Sequence, residues 1–112
     1  MPKIIESPVK KWPGTVTLAD PLTFPQFRAW STAIIGAQEI QRAEGLQSDY
    51  DAALLPGIIA CVETWGLNHG FPAAPTVENF PATPRLSSAK LVAWLVAEIA
   101  RVANEADEDG PK

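Results

Sequence analysis

The chain has 112 residues, of which 46% are hydrophobic and 20% are charged, and its formal net charge at pH 7 is −4. This length suits a single domain of ~100–150 residues, and the composition supports a packed core rather than a disordered chain. The longest basic run is Lys10-Lys11, which is too short to neutralise phosphates, so we expect no nucleic-acid partner.

The number of cysteines and the length of the apolar runs limit which cofactors and which cellular location we expect. Cys61 is the single cysteine, which excludes an internal disulfide and a cysteine-based zinc site. The longest apolar run, 91–97, is far shorter than the ~20 residues that span a bilayer, and the N-terminal residues lack the apolar core of a secretory signal. We therefore expect a cytoplasmic protein with no membrane contact and no cofactor.

Residues 4–18 predict a β-hairpin. Ile4–Lys10 and Thr15–Leu18 are rich in residues typical of strands, and Pro13-Gly14 between them favours a turn. Pro8 confines the first strand to a sheet edge. Because two strands alone are marginally stable in water, we expect helices to cover them.

The first helix is predicted after residue 23. Thr23 and Gln26 have the spacing of a capping box, and Gly45 is a natural stop. The helical spacing predicts one buried face formed by Phe27, Trp30, Ile34, Ala37 and Gln41.

The second helix is predicted from Ser48 to Gly66. Ser48 and Asp51 have the same capping arrangement, and Trp65 continues its buried face. Pro56 removes a backbone hydrogen bond, so we predict a kink or a break into two shorter helices there.

The third helix has the clearest apolar stripe and opens at Ser87 or Ser88. The predicted fold is thus mainly α: three principal helices with a short N-terminal hairpin, in one domain over residues 1–104. The acidic residues 105–112 are predicted to form a mobile tail. The stripe consists of Leu91, Val92, Leu95, Val96, Ile99, Val102 and Ala103.

Residues 70–85 are rich in proline yet too apolar for an ordinary linker. We predict an ordered strap that Phe71, Val77 and Phe80 pin across the helices, with Pro84 setting the start of the third helix. A polyproline ligand for an SH3-like domain is the alternative, but "PATP" is short and Arg85 is its only flanking charge.

No residue pattern predicts a catalytic, cofactor-binding or metal-binding site. His69 and Cys61 form a nucleophilic pair only if folding brings them together, and a cysteine among apolar neighbours usually packs as a hydrophobe. Asp49 and Asp51 are explained by the preference of carboxylates for a helix N-terminus. We therefore expect no enzymatic activity.

Two tryptophans are the predicted partner-binding residues. Trp12 precedes Pro13 in the hairpin turn, where we expect partial exposure. Trp94 lies off the main stripe of the third helix, so it either widens the buried face over the hairpin or anchors a partner, since tryptophan is enriched at binding hot spots.

Three segments of the chain resemble small tail assembly chaperones of long-tailed bacteriophages and prophages. They are "VKKWPGTVTLADPLTFPQFRAW", which contains a G-x-V-x-L strand, "ETWGL", and "NFPATPRLSSAKLVAWLVAEI". The resemblance implies a short, acidic, mainly helical protein that binds the hydrophobic tape-measure protein before the tail tube forms and is absent from the virion. Many members of this family are also made in a longer form by ribosomal frameshifting, so the resemblance implies that such a form is an option here.

Other functions remain open at the level of sequence. One alternative is a structural or tail-completion component that stays in the virion through strand addition at the hairpin. Another is a small enzyme that uses Cys61 and His69. The sequence leaves the oligomeric state open, with a homo-oligomer as one option.

Overall fold

A computed structural model describes residues 2–81 and 85–108, with side chains as far as residue 104. Within these ranges the fold is mixed, because the three predicted helices accompany a three-stranded antiparallel sheet instead of a two-stranded hairpin. The elements in chain order are β1 (Lys3–Glu6), β2 (Gly14–Leu18), α1 (Phe24–Arg42), α2 (Gln47–Cys61), β3 (Val62–Leu67) and α3 (Arg85–Glu108).

The sheet has the order β1-β2-β3 and one buried face. Ile5 pairs with Val16, which pairs in turn with Trp65, and all three side chains are buried or packed against the core. On the opposite face Ile4 pairs with Thr17. The predicted hairpin is therefore confirmed, although β1 ends at Glu6 and not at Lys10, and Gly14 belongs to β2 and not to the turn. Its core-facing residues follow the two-residue period of a strand.

The prediction that the second helix continues to Gly66 is wrong. α2 ends at Cys61, and β3 begins at the next residue. Val62, Thr64 and Trp65 are β-branched or aromatic residues that favour strands. Their backbone groups pair with the second edge of β2, a partner that helix periodicity alone does not reveal.

The start of α1 is the capping box that the sequence predicts. The Thr23 hydroxyl accepts a hydrogen bond from the Gln26 N–H at 3.3 Å, and the Gln26 Oε1 accepts one from the Thr23 N–H at 2.8 Å. At the other end, the Gly45 N–H donates to the Ile40 carbonyl at 2.8 Å. These three hydrogen bonds thus satisfy backbone groups that the two termini of α1 would otherwise leave unpaired.

The predicted capping of the second helix by Ser48 is wrong. α2 starts at Gln47, with Leu46 in the capping position and no side-chain capping bond. The Asp51 carboxylate instead accepts a hydrogen bond from Gln47 Nε2 at 3.0 Å. α2 also runs through Pro56 as one element, so the predicted break into two shorter helices does not occur, and the alternative, a kink at Pro56, stays a prediction.

α1 and α2 pack closely where they meet at Gly57. A Cβ atom at this position would lie 2.7 Å from the Ala33 Cβ and 3.2 Å from the Ala29 carbonyl oxygen. The absence of a side chain at Gly57 therefore sets how closely the two helices approach.

α3 contributes the largest share of the core. It begins at Arg85, so Ser87 and Ser88 lie inside the helix rather than at its start. It extends to Glu108, beyond the predicted boundary at 104, and residues 109–112 lie outside the described part. The predicted stripe is confirmed, with all members buried except the partly buried Val96: Leu91, Val92, Leu95, Ile99, Val102 and Ala103.

The proline-rich segment is described as far as residue 81. Phe71 is buried, and its ring centroid lies 5.5 Å from those of Trp12 and Trp65, so it packs on the hairpin connection and β3 and not across the helices as predicted. Val77 is 44% exposed and lies outside the buried core. Residues 82–84, including Pro84, lie outside the described part, so an ordered strap over all of 70–85 is not confirmed.

Substitution of two helical glycines by alanine should change the free energy of unfolding in opposite directions. Gly36 in α1 has nothing within 4 Å of an added Cβ, so Gly36→Ala should raise the free energy of unfolding by about 0.5–1 kcal/mol through helix propensity. Gly57→Ala should lower it by about 1–3 kcal/mol, because α1 must move away. Urea denaturation of both variants checks this, and equal effects would contradict the close packing at Gly57.

Candidate functional site

The hypothetical cysteine–histidine pair is not assembled in the structure. Cys61 is fully buried, and its Sγ lies 3.7 Å from the Gln26 carbonyl, to which it donates. His69 is exposed in the turn after β3, and within the described ranges no hydrogen bond joins the two side chains. Burial raises the pKa of the Cys61 thiol to about 11, which keeps the thiol protonated near neutral pH.

Asp49 and Asp51 lie at the start of α2, where the sequence places them. In the described part of the chain, no group of three or more histidine, cysteine, aspartate or glutamate side chains is arranged to hold a metal ion. None of the described helices combines the length and apolarity that crossing a bilayer requires.

The predicted exposure of Trp12 is wrong, because its side chain is only 3% exposed. Its ring centroid lies 5.5 Å from that of Phe71 in an edge-on arrangement, and Phe71 stacks on Trp65 at the same distance. These rings and Phe80 form an aromatic cluster that joins the hairpin connection, β3 and the proline-rich segment. Trp12 thus offers little surface to a partner.

Trp94 is half-buried and packs against the core. One turn further along α3, the Glu98 carboxylate lies 3.6 Å from the Lys3 Nζ, which holds α3 beside β1. This placement favours the interpretation in which Trp94 widens the buried face towards the hairpin. A partner contact through its exposed part stays a prediction.

Three large apolar side chains on one flank of α1 are exposed, and we call them the α1 stripe: Phe24, Phe27 and Ile35. These side chains are 73%, 40% and 57% exposed, respectively. At ~100° per residue the three positions fall within an arc of about 80°. The sequence placed Phe27 on the buried face, but the core is contacted instead by Trp30, Ala33 and Ala37 on the opposite flank.

A groove runs beside the α1 stripe, between α1 and the end of α3. Its volume is about 330 Å³. Trp30 and Ile34 line it from α1, and Ala103 and Asn104 line it from α3. The stripe and the groove together form a continuous, mainly apolar surface of the kind that accepts an amphipathic helix.

The charges around the α1 stripe are mixed but dominated by arginine. Arg28 and Arg42 are exposed on the same side of α1, and Glu39 is exposed between them. In the described part of the chain, the salt bridges of 4.0 Å or less involve Glu98 with Lys3 and Arg101, so neither stripe arginine is paired in one. Arg42 in the last helical turn also interacts favourably with the helix dipole.

A second cavity of about 420 Å³ lies between the first halves of α2 and α3. Leu55, Phe80 and Val92 line it together with Asp51 and Arg85. Its lining also includes Pro81, the last described residue before the gap at 82–84, whereas every residue of the α1 stripe is described.

Comparisons with protein-family models, with curated proteins and with solved structures find no match for this chain. The resemblance to tail assembly chaperones therefore rests on the sequence segments themselves.

Cys61 should not react with an aromatic disulfide reagent at pH 8 in the folded protein. The thiol is buried, and its pKa is raised to about 11, so both access and thiolate are lacking. Absorbance should show one reactive thiol per chain in urea and none without it. A Gln38→Cys variant provides an exposed thiol as the control, and equal rates at both positions would contradict this assignment.

Trp94→Ala should destabilise the fold less than Leu95→Ala. Leu95 is fully buried, so its truncation should cost about 2–5 kcal/mol, whereas the half-buried Trp94 should cost about 1–2 kcal/mol. Thermal melts of the two variants make the comparison. If Trp94→Ala melts as low as Leu95→Ala, Trp94 is a core residue and not a partner anchor.

Proposed function

We propose that the protein is a non-enzymatic assembly chaperone of the phage-tail type, acting in the bacterial cytoplasm. On this proposal it binds apolar helical segments of the tape-measure protein until the tail tube forms around them. The observation that supports this function best is the exposed α1 stripe, in which two phenylalanines and an isoleucine lie on one helix flank.

The stripe gives the proposal a physical mechanism. Complete burial of a phenylalanine or isoleucine side chain is worth roughly 1.5–3 kcal/mol, so Phe24, Phe27 and Ile35 can supply a useful part of a binding energy. The groove beside them adds Trp30 and Ile34 to the contact. A partner helix in the groove would be covered in the same way, which would protect its apolar face from aggregation.

The proposal extends to the ordered strap over residues 70–85 and to Trp94. The ring contacts of Phe71 and Phe80 support the strap as far as residue 81. Trp94 would contribute through the part of its ring that the core leaves exposed. The net charge of −4 favours solubility of the loaded complex.

The runner-up is a structural tail component retained in the virion, and one observation favours it. The Ser7 N–H donates to the Gly14 carbonyl, so by the alternation of an antiparallel ladder the backbone groups of Ile4 and Glu6 point to the open edge of β1. A partner strand could pair with this edge.

The proposed function is tested by co-expressing the chain with the candidate tape-measure protein and measuring the complex by pull-down. A Phe24→Ser/Phe27→Ser double variant should lose only about 1–2 kcal/mol of folding free energy, because Phe24 is 73% and Phe27 40% exposed, and it should bind at least tenfold more weakly. The matched control is Leu86→Ser, which removes an 87% exposed leucine from α3.

Unchanged binding by the folded double variant would contradict the α1 stripe as the contact surface. Mass spectrometry of purified particles separates the two functions, because a chaperone should be absent from them. Its presence in stoichiometric amount would favour the structural component.

A further inference from the structure

The two stripe arginines are placed symmetrically about Ile35. Arg28 precedes it by seven residues (35 − 28 = 7) and Arg42 follows it by seven (42 − 35 = 7). Seven residues are nearly two helical turns, so both arginines return to the side of α1 on which Ile35 lies. Both are exposed, and neither belongs to a salt bridge in the described part of the chain.

We infer that the α1 stripe binds an amphipathic helix whose apolar face is bracketed by two acidic residues about 14 positions apart. This inference rests on the proposed function and specifies the chemistry of its partner. The apolar centre of the partner would contact Phe27 and Ile35, and its two carboxylates would pair with Arg28 and Arg42. Guanidinium groups suit this role because they bind carboxylates with two parallel hydrogen bonds.

The geometry sets the length of the partner. Arg28 and Arg42 are separated by 14 residues, or ~21 Å along the helix axis at ~1.5 Å per residue. A partner helix therefore needs at least four turns to reach both. Because the arginines are symmetric about Ile35, the helix can satisfy them in either direction along α1.

A negative charge on the same flank of α1 weakens the preference for an acidic partner. Glu39 is exposed one turn after Ile35 and three residues before Arg42, and it repels a carboxylate near that end. The chain as a whole is also acidic. The preference for acidic residues should therefore be moderate, local to the two arginines and strongest at low salt.

The test uses three synthetic helical peptides with the same apolar face, which differ only in having two Glu, two Gln or two Lys residues 14 positions apart. Fluorescence anisotropy should show the Glu peptide binding about three- to tenfold more tightly than the Gln peptide at low salt, as two exposed ion pairs allow. The Lys peptide should bind most weakly. The differences should shrink at ~1 M salt, where screening acts within ~3 Å.

Variants of the full chain assign the effect to residues. Arg28→Gln/Arg42→Gln should abolish the preference for the Glu peptide, while Glu39→Gln should increase it. Arg101→Gln is the matched control, since Arg101 is an exposed arginine on α3 and its loss should leave the preference unchanged.

Each other outcome overturns the inference in a distinguishable way. Equal binding of all three peptides refutes the acidic bracket but leaves the proposed function standing, whereas no binding of any peptide removes both. Arginine-dependent binding to phosphatidylserine vesicles that displaces the Glu peptide would show a membrane surface as the ligand. A dimer in sedimentation that Phe24→Ser/Phe27→Ser dissociates would show a second copy of the chain on the stripe.

Discussion

The direct passage from α2 into β3 is the constraint on which the arrangement of the other elements depends. Since no loop separates Cys61 from Val62, the end of the helix fixes the start of the strand. Hydrogen bonds converge here: the Ala19 N–H, just after β2, donates to the Cys61 carbonyl at 2.9 Å, and Gln26 Nε2 donates to the Ala60 carbonyl at 3.2 Å. The junction thereby joins the sheet, the start of α1 and the end of α2.

This junction also explains why α1 presents its apolar stripe to solvent. Gln26 uses its amide oxygen in the capping box and its amide nitrogen at the junction, so the first turn of α1 is fixed in rotation. With that rotation, Trp30 and Ala33 face α2 and the core, while Phe24 and Ile35 lie on the outer flank. The exposed stripe is therefore a consequence of how α1 is anchored.

Short patterns in the sequence predict some local features, although the capping pattern at Ser48 and Asp51 is not realised. The capping box at Thr23 and the buried stripe of α3 depend on spacing along one helix, and both are confirmed. β3 was missed because its partner, β2, lies more than 40 residues earlier in the chain. The α1 stripe was missed for a related reason: α1 has two apolar flanks, and only packing against α2 and α3 decides that Phe27 lies on the exposed one.

β1 is an edge strand of four residues with a proline on either side, Pro2 and Pro8. Proline donates no backbone hydrogen bond, so a strand arriving at this edge can extend its ladder only over the short stretch between them. A single partner strand can pair with this short stretch. Repeated addition of strands at the same edge is disfavoured, because each added strand forms only a few hydrogen bonds. The same two prolines thus disfavour edge-to-edge stacking of copies of the chain through β1.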